Sequence, residues 1–143
     1  MKKFLMAAVV AMSAVTSSAV FACEGHDKSA AVEPKSVTVS QLASLTKEKK
    51  ATPVDANGEK TRKNEGVIPG AILLTSSSQF DPAKELPASK DSNLVFYCAN
   101  TKCGASHAAA KKAVEAGYTN VSVLPEGISG WKQAGQPTAK PNS

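Results

Sequence analysis

The chain has 143 residues, of which 42% are hydrophobic and 20% charged, with a formal net charge of +5. This composition excludes collagen-like, heavily disordered and multi-span membrane proteins, and the length suits one domain with a sizeable core. Aromatic residues make up only 5%, which predicts an aliphatic, alanine-rich core. Arg62 is the one arginine and the lysines form no dense cluster, so we predict no nucleic-acid binding.

The N-terminus predicts export. Two lysines precede an apolar stretch at residues 4–15, and Ala22 then offers the small residue that signal peptidase requires. The stretch is shorter than the roughly 20 apolar residues of a membrane span. We therefore interpret residues 1–22 as a cleaved signal peptide and the protein as periplasmic or otherwise exported. Cleavage removes two lysines and leaves a net charge of 15 − 12 = +3.

Cleavage would make Cys23 the first residue of the mature chain. Residues 20–23 (VFAC) resemble a bacterial lipobox, except that Phe21 stands where a small residue is usual. Two fates of Cys23 stay open: it is lipidated, which would attach the protein to a membrane, or it is a free cysteine in a flexible segment at 23–35.

Beyond that segment, strands and helices alternate, which predicts an α/β fold with a central parallel sheet and helices on both faces. The continuous apolar run at 94–97 is typical of a buried parallel strand. We predict one domain at 36–138 and a short tail at 139–143. The predicted strands are 37–39, 52–56, 72–74, 94–97 and 121–124. The predicted helices are 40–49 (capped by Ser40), 59–65, 106–116 and 128–134. A polar loop with Pro82 and Pro87 as breakers is predicted at 75–91.

Cys98 is the main candidate for chemistry, because it directly follows the strand at 94–97 and precedes a loop into a helix. Ligands of parallel sheets bind at the carboxyl ends of the strands. Loop amides, the helix dipole and Lys102 are expected to favour the thiolate form of Cys98, which is nucleophilic. The alternative is a buried cysteine that acts as a small apolar residue.

Several sequence motifs then occur in a fixed order between about 37 and 138. They are Asp55 at the end of a strand, 66–71 (GVIPGA), 96–98 (FYC), 115–118 (EAGY) and 124–131 (LPEGISGW). In these motifs the chain resembles the rhodanese (sulfurtransferase) domain, with Val67 in place of a histidine and Glu126 in place of a glycine. The resemblance implies a rhodanese-like fold and a catalytic Cys98 that carries sulfur as a persulfide.

The active loop departs from the family sequence C-x-x-G-x-R. Thr101 takes the place of the glycine, Cys103 takes that of the arginine, and Lys102 offers a positive charge without a bidentate geometry. The missing arginine disfavours thiosulfate as the donor. It also disfavours a phosphatase, which would need an arginine at position 104. The loop residues expected to bind substrate are Ala99, Asn100, Thr101, Lys102 and Gly104.

We predict that Cys98 and Cys103 are both catalytic, and three functions stay open. In the first, Cys98 takes up sulfur and Cys103 resolves the persulfide, leaving a disulfide. In the second, the pair is a thiol–disulfide switch, and in the third the domain only binds a partner. The expected partners are a small sulfur-containing anion or a persulfide donor, and a thiol redox protein. His107 adds a third metal-binding side chain, but no fourth lies nearby, so we predict no metal and no cofactor.

Overall fold

The computed structural model describes residues 33–141. The predicted signal peptide at 1–22 and Cys23 lie outside these residues, as does most of the segment predicted to be flexible at 23–35. Within 33–141, no helix is both long and apolar enough to cross a membrane.

Strands and helices alternate along the described chain, and the α/β fold is confirmed. In chain order the elements are β1 (Lys35–Ser36), α1 (Val39–Lys47), β2 (Thr52–Asp55), α2 (Glu59–Glu65), β3 (Ile72–Leu73), α3 (Pro82–Glu85), β4 (Leu94–Tyr97), α4 (Ala105–Glu115), β5 (Val121–Leu124) and α5 (Gly127–Gln133).

The sheet is parallel throughout, in the order β1-β5-β4-β2-β3, so β4 is its central strand. Phe96 of β4 lies opposite Val54 of β2 on one side and Val123 of β5 on the other. All four residues of β4 are buried, because the strand has a neighbour at each edge and helices over both faces.

Side chains of β4 alternate between two apolar clusters, one on each face of the sheet. Leu94 and Phe96 pack in the cluster that contains the alanines of α4, whereas Val95 and Tyr97 pack in the cluster that contains residues of α1 and α5. Cys98, the next residue, continues this alternation toward α4. The small alanine side chains let α4 approach the strand whose end carries Cys98.

The predicted core composition holds only in part. The cluster on the α4 side is rich in alanine, as expected. However, every aromatic residue within 33–141 is buried, so a few large rings fill much of the interior: Phe80, Phe96, Tyr97, Tyr118 and Trp131.

The strand predicted at 37–39 is wrong, because Val39 already begins α1. Thr38 caps this helix: its side chain accepts a hydrogen bond from the Gln41 amide at 3.3 Å, and the Gln41 side chain accepts one from the Thr38 amide at 2.8 Å. This capping box outweighs the β propensity of the alternating valines and threonine. Ser40, the predicted cap, lies inside the helix.

The predicted loop at 75–91 contains a short helix, α3. Asp81 caps it by accepting a hydrogen bond from the Ala83 amide at 3.0 Å. Pro82, predicted as a breaker, instead opens the helix, where a missing amide proton costs nothing.

The C-terminal segment is attached to the domain beyond the predicted end at 138. Ala139 pairs with Val67 through two backbone hydrogen bonds of 2.8 and 2.9 Å. The indole of Trp131 donates to the carbonyl of Pro137 at 2.7 Å. Residue 139, assigned from the sequence to the tail, is therefore held against the domain.

Candidate functional site

Cys98 lies at the carboxyl end of the central strand and is almost completely buried, with 1% of its surface exposed. The first turn of α5 fixes the backbone there. The Ile128 amide donates to the Cys98 carbonyl at 2.8 Å, and the Ser129 amide donates to the Ala99 carbonyl at 3.0 Å. The position of the cysteine is thus set by both the sheet and α5.

Gly127 makes this close approach possible. Its φ is +60°, and a Cβ atom at this position would lie 2.3 Å from the Cys98 carbonyl oxygen and 2.7 Å from the Ala99 carbonyl carbon. Any side chain would therefore push α5 away from the site. The sequence does not by itself mark Gly127 as a site residue, although the motif at 124–131 contains it.

Ser106, in the first turn of α4, is a second site residue that the sequence pattern did not predict. Its hydroxyl donates to the Cys98 sulfur at 3.4 Å, its amide also donates to this sulfur, and it is 1% exposed. The sequence does contain one sign of this role: a serine stands on a helix face that is otherwise rich in alanine. A buried hydroxyl at such a position needs a hydrogen-bond partner.

The two thiols of the loop are free, and a hydrogen bond joins their residues. The Cys98 thiol donates to the backbone carbonyl of Cys103 at 2.9 Å. Cys103 is half-buried, whereas Cys98 is enclosed. The site is therefore a dithiol with one buried and one accessible sulfur.

The electrostatics of the pair differ from the expectation that Cys98 is the thiolate. Burial raises the pKa of the Cys98 thiol, and its hydrogen bond to Cys103 raises it further. Burial alone would also raise the pKa of Cys103, but hydrogen bonds from the Cys98 thiol and from the Ala99 and Ala105 amides bring it below its usual range. Cys103 is therefore the thiol of the pair that ionises more readily.

The loop between the cysteines is a compact turn. The Cys103 amide donates to the Asn100 carbonyl at 3.0 Å, and the Lys102 amide donates to the Asn100 side chain at 3.0 Å. These bonds fold Cys103 back over Cys98. Of the residues predicted to bind substrate, Ala99 is half-buried, whereas Asn100, Thr101, Lys102 and Gly104 are exposed.

Arg62 does not reach the cysteine loop as an anion clamp. Its Nε lies 3.3 Å from a carboxylate oxygen of Asp55, and its Nη2 donates to the carbonyls of Asp55 and Leu74 at 2.9 and 2.8 Å. Asp55 is fully buried and the Arg62 side chain is 11% exposed. The arginine therefore joins the ends of β2 and β3.

Tyr97 connects this ion pair to the strand that ends in Cys98. It lies opposite Asp55 in the sheet, and its hydroxyl accepts a hydrogen bond from the Ile68 amide at 3.0 Å. Burial and the neighbouring Asp55 carboxylate raise the pKa of Tyr97 well above its usual range, so the phenol stays protonated.

Within residues 33–141, no group of three or more histidine, cysteine, aspartate or glutamate side chains lies close enough together to hold a metal ion. His107 is exposed on α4.

The fold and the site define a parallel α/β domain with a dithiol at the end of its central strand. A family model for the rhodanese-like domain matches residues 38–134, which is more than half of the chain. The protein belongs to the rhodanese-like family. Among curated proteins, no sequence matches the chain significantly.

Solved structures show the same relationship. A human single-domain sulfurtransferase is 26% identical with a TM-score of 0.55, over 68% of this chain and 95% of that one. A Rhodopseudomonas palustris protein described as a possible tyrosine phosphatase is 26% identical with a TM-score of 0.63, over 74% and 85%. A Pseudomonas aeruginosa thiosulfate sulfurtransferase shares the fold, at 21% identity and a TM-score of 0.65, over 77% of this chain and 21% of that one. These likenesses support a general rhodanese-type role.

Proposed function

We propose that this protein is an exported sulfurtransferase that carries sulfur as a persulfide on Cys98. The observation that carries the proposal is the position of the Cys98 sulfur. It lies at the carboxyl end of the central strand, where the hydroxyl and the amide of Ser106 both donate to it. Such donors would stabilise the negative charge of a persulfide in a place that water reaches poorly.

Cys103 supplies the base for the first step. When a persulfide donor R–S–SH approaches, the Cys98 sulfur attacks the terminal sulfur of the donor and its proton passes to the Cys103 thiolate. A new S–S bond forms at Cys98, the S–S bond of the donor breaks, and R–S⁻ leaves with the electron pair. The hydrogen bond from the Cys98 thiol to the Cys103 backbone keeps the two residues together for this transfer.

The charges of the site favour a persulfide over an oxyanion as the donor. A sulfonate or phosphoryl group is best held by a guanidinium fork. The one arginine, Arg62, is bound to Asp55 and Leu74, and the exposed Lys102 offers only a point charge. The same argument disfavours phosphatase activity, which the name of the Rhodopseudomonas palustris protein suggests, because Gly104 stands where the phosphatase arginine would be.

A thiol–disulfide switch is the second candidate. The hydrogen bond from the Cys98 thiol to the Cys103 backbone favours it, because this bond and the turn at Asn100 keep both cysteines on one short loop from which a disulfide can close. Export would place the pair in an oxidising compartment, where such bonds persist. The proposal of export rests on the signal-peptide pattern of residues 1–22.

Sulfur transfer to cyanide tests the proposal. With glutathione persulfide as the donor, we expect the mature protein to produce thiocyanate, and more slowly with thiosulfate. Cys98→Ser should lose the activity, whereas the matched thiol removal Cys23→Ser should retain it. Full activity of a folded Cys98→Ser variant would refute the assignment. A wild-type protein that forms a disulfide but neither releases hydrosulfide nor transfers sulfur to cyanide would favour the switch.

A further inference from the structure

The geometry points to a second activity of the same site: Cys103 resolves the Cys98 persulfide, which releases hydrosulfide and closes a Cys98–Cys103 disulfide. This inference rests on the proposed function, because it needs sulfur on Cys98. It makes the protein a sulfane-sulfur reductase whose partner is a dithiol reductant, in addition to a carrier that hands sulfur to an acceptor.

Cys98 and Cys103 are held close together. The Cys98 thiol donates to the backbone carbonyl of Cys103 at 2.9 Å, and the turn at Asn100 fixes the loop between the two residues. A thiol so placed next to a persulfide attacks it intramolecularly, which gives it a large advantage over any thiol in solution.

The two cysteines differ in exposure and in how readily their thiols ionise. Cys98 is enclosed and its sulfur has fixed hydrogen-bond donors, which suits a residue that holds the transferred sulfur. Cys103 is half-buried on the loop, and its pKa lies below the usual range because amides and the Cys98 thiol stabilise its negative charge. A thiolate is the form that attacks disulfide-type bonds.

The cysteine loop contains no arginine, and Cys103 stands at the position where the family sequence has one. A nucleophile therefore takes the place of a clamp for an anionic donor, and its backbone carbonyl accepts a hydrogen bond from the Cys98 thiol.

The step balances without an added oxidant. After sulfur uptake, the departing R–S⁻ takes the proton of Cys103 and leaves as R–SH. The Cys103 thiolate then attacks the inner sulfur of the persulfide, a bond forms between the sulfurs of Cys98 and Cys103, and the bond to the outer sulfur breaks. The outer sulfur leaves with the electron pair as HS⁻. A dithiol then reduces the protein disulfide and is itself oxidised to a disulfide.

A single-turnover experiment tests this inference. The mature protein carrying Cys23→Ser, so that only two thiols remain, is mixed with an equimolar amount of glutathione persulfide without acceptor or reductant. We expect about one hydrosulfide per protein and an intact mass that has lost two hydrogens. Adding dithiothreitol and fresh donor should give a second round. The Cys98→Ser/Cys103→Ser double variant measures breakdown of the donor alone.

Cys103→Ser in the same background lacks the proposed base, so it should gain one sulfur atom, but more slowly than the two-thiol protein takes up sulfur. It should release hydrosulfide only at the level of the double variant. Cys103→Ala, checked for folding by circular dichroism, should behave in the same way. If the two-thiol protein keeps the added sulfur and releases no hydrosulfide, the resolving step is refuted while the proposed function stands. If Cys103→Ser releases as much hydrosulfide as the two-thiol protein, the assignment of Cys103 as the resolving residue is refuted as well. If no folded variant takes up sulfur, the proposed function itself fails.

Discussion

Replacing Gly127 by alanine should loosen the site at its backbone. Alanine at a φ of +60° costs about 1–2 kcal/mol. Its Cβ would also lie 2.3 Å from the Cys98 carbonyl oxygen, so the first turn of α5 must move away. That movement breaks the hydrogen bonds from Ile128 and Ser129 to the loop backbone, each worth about 1 kcal/mol.

The free energy of unfolding of Gly127→Ala should therefore fall by about 3–4 kcal/mol. Urea titration followed by circular dichroism measures this change. Typical domains are stable by about 5–15 kcal/mol, so the variant should remain folded enough to assay. Sulfur transfer should decrease as well, because the displaced carbonyl belongs to Cys98.

Gly135→Ala is the matched control, since Gly135 follows the same helix, has a φ of +71° and leaves open space within 4 Å of the position that a Cβ atom would take. It should cost only the backbone strain of about 1–2 kcal/mol and leave sulfur transfer unchanged. If Gly127→Ala destabilises the protein no more than Gly135→Ala, and transfers sulfur normally, the reasoning about the contact between α5 and the loop is refuted.

Three further predictions concern the side chains around the site. Ser106→Ala removes a donor to the Cys98 sulfur, so the pH profile of Cys98 alkylation should move to higher pH; an unchanged profile would contradict the contact. In the wild-type protein, mapping of iodoacetamide adducts should show Cys103 reacting at lower pH than Cys98, because the pKa of Cys103 is lowered and that of Cys98 is raised. If Cys98 reacted at the lower pH, the conclusion that Cys103 ionises more readily would be contradicted. Arg62→Met leaves the buried Asp55 carboxylate without its partner and should lower the free energy of unfolding by about 3 kcal/mol. The double variant Arg62→Met/Asp55→Asn should lose less free energy of unfolding than Arg62→Met alone, and equal losses in the two variants would contradict a buried ion pair.

Local sequence signals predicted the centre of the fold well. The apolar run of β4 and the alanine face of α4 are each decided by residues close in sequence, so their positions follow from periodicity. The strand predicted at 37–39 failed because two local signals compete there, and the side-chain cap of Thr38 outweighs the preference of valine for strands.

The place of Cys98 in the fold could also be predicted, but not the relative acidity of the two thiols. Its position at the end of a buried strand is a local feature, and its closeness to Cys103 follows from their short separation. Which thiol ionises more readily depends on burial by the whole domain and on donors from Ala99, Ala105 and Ser106. The sequence does not reveal these contacts, because they arise only when α4 packs on the sheet.

The contribution of α5 was hidden for the same reason. The first turn of that helix lies far beyond Cys98 in the chain, yet its amides hold the backbone of the active loop. Only the packing of α5 beside β4 shows that Gly127 is required for contact with Cys98 rather than for a turn alone.

The most direct test of the central claim is to locate the transferred sulfur. The Cys103→Ser variant is exposed to glutathione persulfide for long enough to offset the loss of the proposed base, its sulfur groups are blocked with iodoacetamide, and peptides are mapped by mass spectrometry. The account predicts one added sulfur atom on the peptide that contains Cys98. An unmodified Cys98, together with sulfur on Cys103 in the complementary Cys98→Ser variant, would contradict it.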